Sequence, residues 1–316
     1  MKPLVSVIIP LYNTDAYLEK CLNSVCGQSL QDIEIICVDD CSPDRSAEIV
    51  SDMALTDKRI SLIRHEKNLG QGGARNTGVR TASANYVGSV DGDDWIDAEM
   101  FQTLYDATQG ETVDLVCCGW KLVDESGEVI SQQGRKPGVH DNRNDTLDIF
   151  EVLNPALWNK LIRKSLITEH QIEFPHYLCF EDLATTPRLV SKSNSVTVIE
   201  DRLYNYLRRE NSQVVSYSSK QVYDYIEAFS ILRKYLIENN LLDHYFKEFC
   251  GMIQKHLNYY SRSVMNSNLE NENKKSLLSC LYTEKSAYLN EIGILDRLPV
   301  DDVFNLCVSD LPGGTV

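Results

Sequence analysis

Three aspartates occupy four positions of the segment VDGDDW, which spans residues 90–95. Asp91 and Asp93 stand on either side of a single glycine, so both carboxylates can reach one ion. Mg²⁺ and Mn²⁺ take oxygen ligands, and Mg²⁺ is commonly held by one or two protein carboxylates together with substrate phosphates. We interpret the segment as a metal site for a phosphorylated substrate. The alternative is a solvated acidic turn in which Asp94 caps the next helix.

A second carboxylate pair, Asp39 and Asp40, follows the apolar run at residues 33–38. These side chains can accept hydrogen bonds from a base N–H and a ribose hydroxyl, with Tyr12 stacking on the base. The same residues can also serve a turn and a helix cap together with Ser42 and Asp44. Both roles are compatible within one loop.

The segment NLGQGGARNTG, residues 68–78, is rich in glycine. It does not fit the dinucleotide fingerprint, since that motif follows the first strand and Arg75 stands where its third glycine belongs. It is not a phosphate-binding P-loop either, because no Gly-Lys-Ser/Thr occurs. Backbone N–H groups at a helix start still suit a phosphate, and Arg75 adds a guanidinium fork.

Glu181 and Asp182 lie between the aromatic run HYLCF and an apolar helical segment. Acidic residues are favoured at a helix N-terminus by the helix dipole, which is one explanation of the pair. The other is a general base. The segments around Trp158, Lys160 and Arg208 are ambiguous by themselves.

The first hundred residues alternate short β-branched runs with segments of helical periodicity. This pattern predicts strands at 4–10, 33–38, 60–64 and 86–90 and helices at 16–25, 46–55 and 73–81. Such alternation is typical of an α/β protein with a doubly wound, mostly parallel sheet flanked by helices. Ligands bind beyond the carboxyl ends of such strands, and the four predicted strands are followed by Tyr12, by Asp39 and Asp40, by Asn68 and by Asp91.

The rest of the chain is less regular up to residue 216 and strongly helical from 217. We predict a strand at 113–120, a polar loop at 124–143, helical segments near 146–153 and at 182–191, a polar linker at 266–275 and a frayed end at 311–316. The pattern thus divides the chain into a domain at 1–216, whose second half (98–216) would hold a second substrate, and a helical C-terminal region at 217–316.

An apolar stripe in the C-terminal region recurs at steps of three and four residues: Leu242, Phe246, Phe249, Ile253, Leu257 and Tyr260. Its spacing predicts packing between helices. Peripheral docking on a membrane is the alternative, but the polar face lacks the Lys and Arg enrichment typical of such helices.

Composition narrows the class of partner. Acidic residues outnumber basic ones by 46 to 31, giving a net charge of −15, so the chain as a whole repels nucleic acid. Ten cysteines show no CxxC pair and no zinc-site spacing. Several lie in apolar strand-like runs, which favours a reducing cytosol.

The motifs, in this order, resemble family 2 of the inverting glycosyltransferases, enzymes of the GT-A fold that use nucleotide sugars. The matching segments are VSVIIPLYN (5–13), VDDCSPD (38–44), NLGQGGARNTG (68–78), VDGDDW (90–95), WNKLIRKSLI (158–167), FED (180–182) and YNYLRRENS (204–212). Cys41, Ala98 and Phe180 depart from the family pattern, which leaves the acceptor's identity open.

The resemblance implies that the half at 1–97 binds the nucleotide sugar and the half at 98–216 binds the acceptor, and it implies a role for each matching residue. The nucleoside, uridine by this resemblance, would be held by Pro10, Tyr12, Asp39 and Asp40, with Asp40 at the base. The ribose and diphosphate would lie near Asn68, Gly72, Arg75, Asp91 and Gly92.

Metal and acceptor roles follow in the same way. Asp93, with Asp91, would bind Mn²⁺ or Mg²⁺, and Asp182 would be the catalytic base with Glu181 beside it. Trp158, Lys160 and Arg208 would border the acceptor or the diphosphate.

The implied activity is transfer of a hexosyl or N-acetylhexosaminyl group from a UDP-sugar to a saccharide or lipid-linked acceptor. The implied location is the cytoplasm, at the inner face of the membrane, with weak peripheral association. Two other functions stay open. A sugar nucleotidyltransferase would need a first loop rich in glycine and basic residues, which PLYNTDAYLEK lacks. A non-catalytic nucleotide-sugar-binding module would not need Asp91, Asp93 and Asp182.

Overall fold

The structure is a computed structural model that describes residues 2–134, 137–141, 154–209 and 217–291. The chain divides into two compact units, Met1–Arg209 and Glu210–Val316. The helix predicted near 146–153 and the frayed end predicted at 311–316 lie outside the described residues.

The first unit contains all ten described strands. They are β1 (Val5–Leu11), β2 (Ile33–Asp39), β3 (Ile60–Arg64), β4 (Tyr86–Ser89), β5 (Trp95–Ile96), β6 (Leu115–Val123), β7 (Val129–Gln133), β8 (Gly138–Asp141), β9 (Lys160–Arg163) and β10 (Ser195–Leu207). Its helices are α1 (Asp15–Cys26), α2 (Ser46–Thr56), α3 (Gly70–Thr81), α4 (Met100–Asp106), α5 (Lys164–Glu169) and α6 (Glu181–Lys192). The second unit contains α7 (Ser219–Glu238), α8 (Phe246–Asn266) and α9 (Asn271–Glu291).

One sheet runs through the first unit in the order β3-β2-β1-β4-β9-β6-β10-β5, with β7 paired to β6 and β8 to β10. The strands β3, β2, β1 and β4 are parallel, as are β6 and β10, whereas β9 is antiparallel to both of its neighbours. The predicted α/β class, a mostly parallel sheet flanked by helices and followed by a helical region, is confirmed.

The central strand β1 is buried over its whole length. Its side chains Val5, Val7 and Ile9 pack in a core that also contains Leu18 and Leu22 of α1. A strand covered on both faces needs an unbroken apolar run, which explains the sequence VSVIIPL. The carboxyl end of β1 is therefore fixed rigidly beneath the polar loops.

Several predicted boundaries were wrong. Helix α3 begins at Gly70, three residues before the predicted start, and the predicted polar loop at 124–143 contains β7 and β8. The predicted linker at 266–275 is shorter, because α9 already begins at Asn271. The sequence shows no apolar pattern for these elements because β7 is largely exposed and the first turn of α9 faces solvent.

The second unit is built around the apolar stripe of α8. Phe249, Ile253, Leu257 and Tyr260 are all buried. The ring of Tyr260 lies edge-on to that of Tyr225 on α7, with 5.5 Å between centroids. The stripe therefore faces other helices, and no helix in the described part of the chain is long and apolar enough to cross a membrane.

Candidate active site

The candidate site lies at the sheet edge where β1, β2 and β4 end. Backbone hydrogen bonds join these ends: Asp40 N donates to Leu11 O at 2.9 Å, and Val90 N donates to Ile8 O at 3.0 Å. Because the strands are parallel and in register, the loops that follow them emerge side by side. The predicted convergence of Asp39, Asp40 and Asp91 on one edge is therefore present in the fold.

Asp39 and Asp40 have different surroundings. The fully buried Asp39 accepts a hydrogen bond from Ser42 N at 2.9 Å and one from Arg64 Nε at 3.1 Å. One oxygen of Asp40, Oδ1, accepts from Leu69 N at 2.8 Å, while the other, Oδ2, is buried with no partner among the described residues. A buried carboxylate oxygen without a donor is costly, so it marks a position where a ligand N–H can bind.

His65 is a site residue that the motif analysis missed. Its Nδ1 lies 2.7 Å from Asp40 Oδ1 and its Nε2 lies 2.9 Å from Thr77 Oγ1. The imidazole, which follows β3, thus fixes the orientation of the Asp40 carboxylate, and Thr77 on α3 fixes the imidazole. A signal was available, because His65 is the first residue after β3 and so belongs to the same edge.

The first loop presents an aromatic ring. Tyr12 is 49% exposed, whereas Pro10 is buried at the end of β1. The following residue, Asn13, has a φ of 55° and donates its backbone N–H to Ser42 Oγ at 2.8 Å. This left-handed turn is held by the second loop, so Tyr12 projects from a fixed backbone.

The glycine-rich segment is packed rather than open. A Cβ at Gly72 would lie 2.1 Å from the carbonyl oxygen of Pro175, so this glycine permits close backbone contact. Asn68 is exposed and donates from Nδ2 to Asp40 O at 3.2 Å. Among the donor-site residues predicted in this segment, Asn68 lies at the loop surface and Gly72 lies inside α3, in contact with Pro175.

Each aspartate of VDGDDW has its own partners. Asp91 Oδ1 accepts from Arg75 Nη2 at 2.7 Å and from Gln71 Nε2 at 2.9 Å. Asp93 Oδ2 accepts a hydrogen bond from Arg209 Nη2. Gly92, between them, is buried near Leu11 and the carbonyl of Pro10.

The third aspartate is structural. Asp94 is 1% exposed and accepts hydrogen bonds from Tyr204 Oη at 2.6 Å and from Leu207 N at 2.7 Å. Burial raises the pKa of Asp94 well above its ordinary value, with Asp93 and Asp91 adding to the rise. Asp94 therefore holds the end of β10 and does not cap a helix.

Arg75 connects the two acidic clusters of the site. Its guanidinium pairs with Asp91 at the end of β4 and, through Nη1, with Glu181 at the start of α6. Arg75 is only 3% exposed. Burial opposes its charge, but Asp91 and Glu181 outweigh this effect and raise the pKa of Arg75. Its predicted contact with a diphosphate stays a prediction, and in this structure the guanidinium binds the two carboxylates.

The acidic pair at the start of α6 is divided between a buried and a partly exposed position. Glu181 is buried against Arg75, and its neighbour Asp182 is partly exposed with Oδ1 accepting from Leu183 N at 2.7 Å. Burial raises the pKa of both carboxyl groups, and Arg75 opposes the rise in each case. A carboxylate with a raised pKa is a better proton acceptor near neutral pH.

Two residues expected to border the acceptor lie in the interior, contrary to prediction. Trp158 is 8% exposed and stacks on Tyr204 with 4.3 Å between ring centroids. Lys160 is fully buried, and its Nζ donates to Asn154 O at 2.6 Å, Ala156 O at 2.5 Å and Asn159 Oδ1 at 2.8 Å. These oxygens satisfy the ammonium group, so Lys160 stabilises the segment that enters β9.

Of the two adjacent arginines after β10, the predicted Arg208 is exposed, and its backbone N donates to Val123 O at 2.8 Å. The neighbouring Arg209 makes the carboxylate contact in the site. Side chains alternate between the two faces of a sheet only within a strand. The sequence therefore could not show which of the two arginines after β10 points into the site.

The oxygen ligands of the site suit a hard divalent cation. The described residues contain no group of three or more His, Cys, Asp or Glu arranged to hold a metal ion. Each of the two carboxylates already forms an ion pair, Asp91 with Arg75 and Asp93 with Arg209. Two carboxylates fit the way Mg²⁺ is bound when substrate phosphates complete its coordination.

Comparison with known proteins identifies relatives of this chain. The sequence profile described as "Glycosyl transferase family 2" matches residues 6–176. The uncharacterized glycosyltransferase EpsJ of Bacillus subtilis is 35% identical over 222 residues, which are 67% of this chain and 63% of EpsJ. The glycosyltransferase GlyG of Streptococcus pneumoniae is 32% identical over 246 residues, covering 73% of this chain and 79% of GlyG. The chain thus spans less than two thirds of EpsJ.

Solved structures share the fold. Residues 1–349 of TarS from S. aureus, in complex with UDP-GlcNAc, align with a TM-score of 0.62 at 23% identity, covering 97% of this chain and 78% of that one. The mannosyltransferase PcManGT from Pyrobaculum calidifontis, in complex with GDP-Man and Mn²⁺, aligns with a TM-score of 0.57 at 15% identity, covering 98% and 87%. At these identities the likeness establishes the GT-A fold alone.

Proposed function

Since the chain belongs to glycosyl transferase family 2, we propose that it transfers a sugar from a nucleotide sugar to an acceptor hydroxyl with inversion at the anomeric carbon. The donor in this proposal is a UDP-sugar carrying a hexosyl or N-acetylhexosaminyl group, and the acceptor is a saccharide or lipid-linked saccharide. A weak peripheral position at the inner face of the membrane stays a prediction of the family resemblance.

One observation carries the proposal: Arg75 contacts both Asp91 and Glu181. The carboxylate assigned to the donor side and the acidic pair assigned to the acceptor side therefore belong to one site. If these groups lay in separate regions of the unit, the family motifs would not support chemistry here. Their connection through one buried guanidinium supports a single reaction centre.

The nucleoside would bind at Asp39 and Asp40. The unpartnered Asp40 Oδ2 supports a base contact, since uracil has an N–H that can donate to a carboxylate. Asp39 would accept from a ribose hydroxyl, and the exposed ring of Tyr12 would stack on the base. Asn68 would border the same pocket, since its amide bonds to the Asp40 backbone.

Asp93 and Asp91 would hold Mn²⁺ or Mg²⁺. When bound, the metal would neutralise negative charge on the departing nucleoside diphosphate. Hard oxygen ligands and the number of carboxylates support this assignment. Arg75 would keep Asp91 in place, while Glu181 would be held apart from the reacting atoms by the same guanidinium.

Asp182 would act as the base. In the proposed step the bond between the anomeric carbon and the diphosphate oxygen breaks as a bond to the acceptor oxygen forms, and the acceptor proton moves to the Asp182 carboxylate. Attack from the face opposite to the leaving group inverts the anomeric centre. The partial exposure of Asp182 and its raised pKa support this role.

The proposal is tested by UDP release from UDP-sugars in the presence of Mn²⁺ and saccharide acceptors. Asp182→Asn should lower kcat by about 10²- to 10⁴-fold, the usual range for a general base, with the donor Kd changed less than about two-fold. Asp93→Ala should instead weaken Mn²⁺-dependent donor binding. Asp52→Asn, an exposed change on α2, is the matched control and should leave both unchanged.

Other outcomes identify the alternatives. Release of pyrophosphate from UTP and a sugar 1-phosphate would show a nucleotidyltransferase. Tight UDP-sugar binding without turnover on any acceptor, equal in wild type and Asp182→Asn, would favour a binding module. Unchanged turnover in Asp182→Asn would remove this residue from the mechanism.

A further inference from the structure

Arg209 pairs with the carboxylate that we assign to the metal. The two side chains are 21% and 19% exposed, so the pair is largely withdrawn from water. Arg209 Cζ also lies 5.2 Å from the ring centroid of Tyr17 on α1. A guanidinium in this position supplies Asp93 with the positive charge that a divalent cation would otherwise supply.

Arg209 is held much less firmly than the other arginine of the site. Arg75 is 4% exposed at its side chain and bridges two carboxylates on different elements. Arg209 has Asp93 and one aromatic face, and its buried Nε has no hydrogen-bond partner among the described residues. It also stands two residues beyond the end of β10, outside the sheet ladder. Arg75 is thus a fixed part of the site, while Arg209 can leave.

We propose that Arg209 is the resident cation of Asp93 in the metal-free protein and that a divalent cation binds Asp93 by displacing it. This inference rests on the metal assignment made above. Competition for one carboxylate lowers the affinity of the metal when it binds alone. The released guanidinium is then available to an anionic ligand, so the metal and a nucleoside diphosphate strengthen each other's binding.

Titration of the full chain with Mn²⁺ alone, without nucleotide, tests the competition. We expect Arg209→Gln to bind Mn²⁺ about 10-fold more tightly than wild type, which corresponds to about 1.4 kcal/mol. Arg209→Lys should fall between them, since lysine keeps the charge but loses the planar fork. Isothermal titration or electron paramagnetic resonance of free Mn²⁺ measures the affinity, and thermal unfolding checks that each variant is folded.

The matched control removes a nearby positive charge that has a different partner. Lys20, also on α1, lies with Nζ 3.0 Å from the ring centroid of Trp95. Lys20→Gln changes the net charge by the same amount as Arg209→Gln, so it should shift the Mn²⁺ affinity by less than about two-fold. An equal gain in both variants would show a general field effect and would overturn the inference.

A second measurement follows Arg209 itself. Nuclear magnetic resonance of the arginine Nε–Hε groups during titration with Mg²⁺ should show a change at Arg209 in wild type and none in Asp93→Asn. This readout needs no activity and separates displacement of the side chain from a change in metal affinity alone.

Failure of the inference differs from failure of the metal assignment. If Asp93→Ala abolishes Mn²⁺ binding but Arg209→Gln binds no more tightly than wild type, displacement is wrong and the metal site stands. If wild type binds no Mn²⁺ even with UDP present, the metal assignment fails and the inference fails with it.

Discussion

Replacing Arg75 with methionine tests the connection between the two acidic clusters. The change keeps an unbranched apolar side chain but leaves the carboxyl groups of Asp91 and Glu181 without their guanidinium. Their side chains are 17% and 4% exposed, so water cannot replace it fully. Removing one partner of a buried ion pair typically costs about 3–5 kcal/mol.

The pH dependence isolates the part of this loss that comes from Glu181. Burial raises the pKa of Glu181 to about 8 in wild type, where Arg75 opposes the rise, so without Arg75 this pKa lies higher still. Both folded-state pKa values exceed the ordinary value near 4.3, so protonation of Glu181 makes each protein less stable as the pH rises towards its folded-state pKa. Above about pH 8 this loss stops in wild type and continues in the variant, so the deficit should grow by up to about 1.4 kcal/mol per pH unit.

Urea denaturation followed by tryptophan fluorescence measures the free energy of unfolding of the first unit, which contains Arg75. All three tryptophans of the chain, Trp95, Trp120 and Trp158, belong to the unit Met1–Arg209. The double variant Arg75→Met, Glu181→Gln should lose the growth of the deficit above pH 8, because it has no ionisable group at position 181. Arg45→Met, whose side chain is 74% exposed, is the control and should change stability by less than about 0.5 kcal/mol.

Two results would refute the reasoning. One is a deficit in Arg75→Met that does not grow between pH 7 and pH 9. The other is a double variant as unstable as the single one, which would show that Arg75 acts through packing and not through its charge.

Two further predictions concern other parts of the fold. Burial lowers the pKa of His256 to about 4, and the nearby charge of Lys255 lowers it further. Below about pH 6.5 the unfolded state therefore binds more protons than the folded state. The free energy of unfolding of the second unit should fall by about 1–3 kcal/mol between pH 6.5 and pH 4. Hydrogen exchange of the α8 amides measures this loss. The variant His256→Phe should show no such dependence of stability on pH. A wild-type stability that does not change over this pH range would contradict the prediction. Gly72→Ala should destabilise the first unit by about 1–3 kcal/mol, because its Cβ would meet the Pro175 carbonyl oxygen at 2.1 Å. Urea denaturation checks this, and wild-type stability in the variant would show that the backbone contact yields easily.

The sequence predicted which polar residues meet at one edge of the sheet, because their meeting follows from a rule about sheets. Parallel strands place their carboxyl ends at one edge, so the residues after predicted strands had to converge. Asp39, Asp40 and Asp91 are found there for that reason. The ends of β1 to β4 were located to within a residue because buried parallel strands have unbroken apolar runs.

The partners within the site could not be predicted in the same way. Arg75 and Glu181 are separated by 106 positions, and no periodicity links them. A buried lysine such as Lys160 requires three oxygens that only the folded 154–159 segment supplies, so its residue type suggested a ligand contact. The choice between Arg208 and Arg209 depended on the direction of the chain after β10, which local pattern does not determine.

The most direct test of the central claim is an anomalous difference map at the manganese edge from a crystal containing UDP and Mn²⁺. We expect one peak in contact with the Asp93 carboxylate and the diphosphate, with the uracil ring at Asp40 and the guanidinium of Arg209 moved off Asp93. Ordered UDP at this edge without manganese at Asp93 or Asp91, or UDP bound elsewhere on the chain, would contradict it.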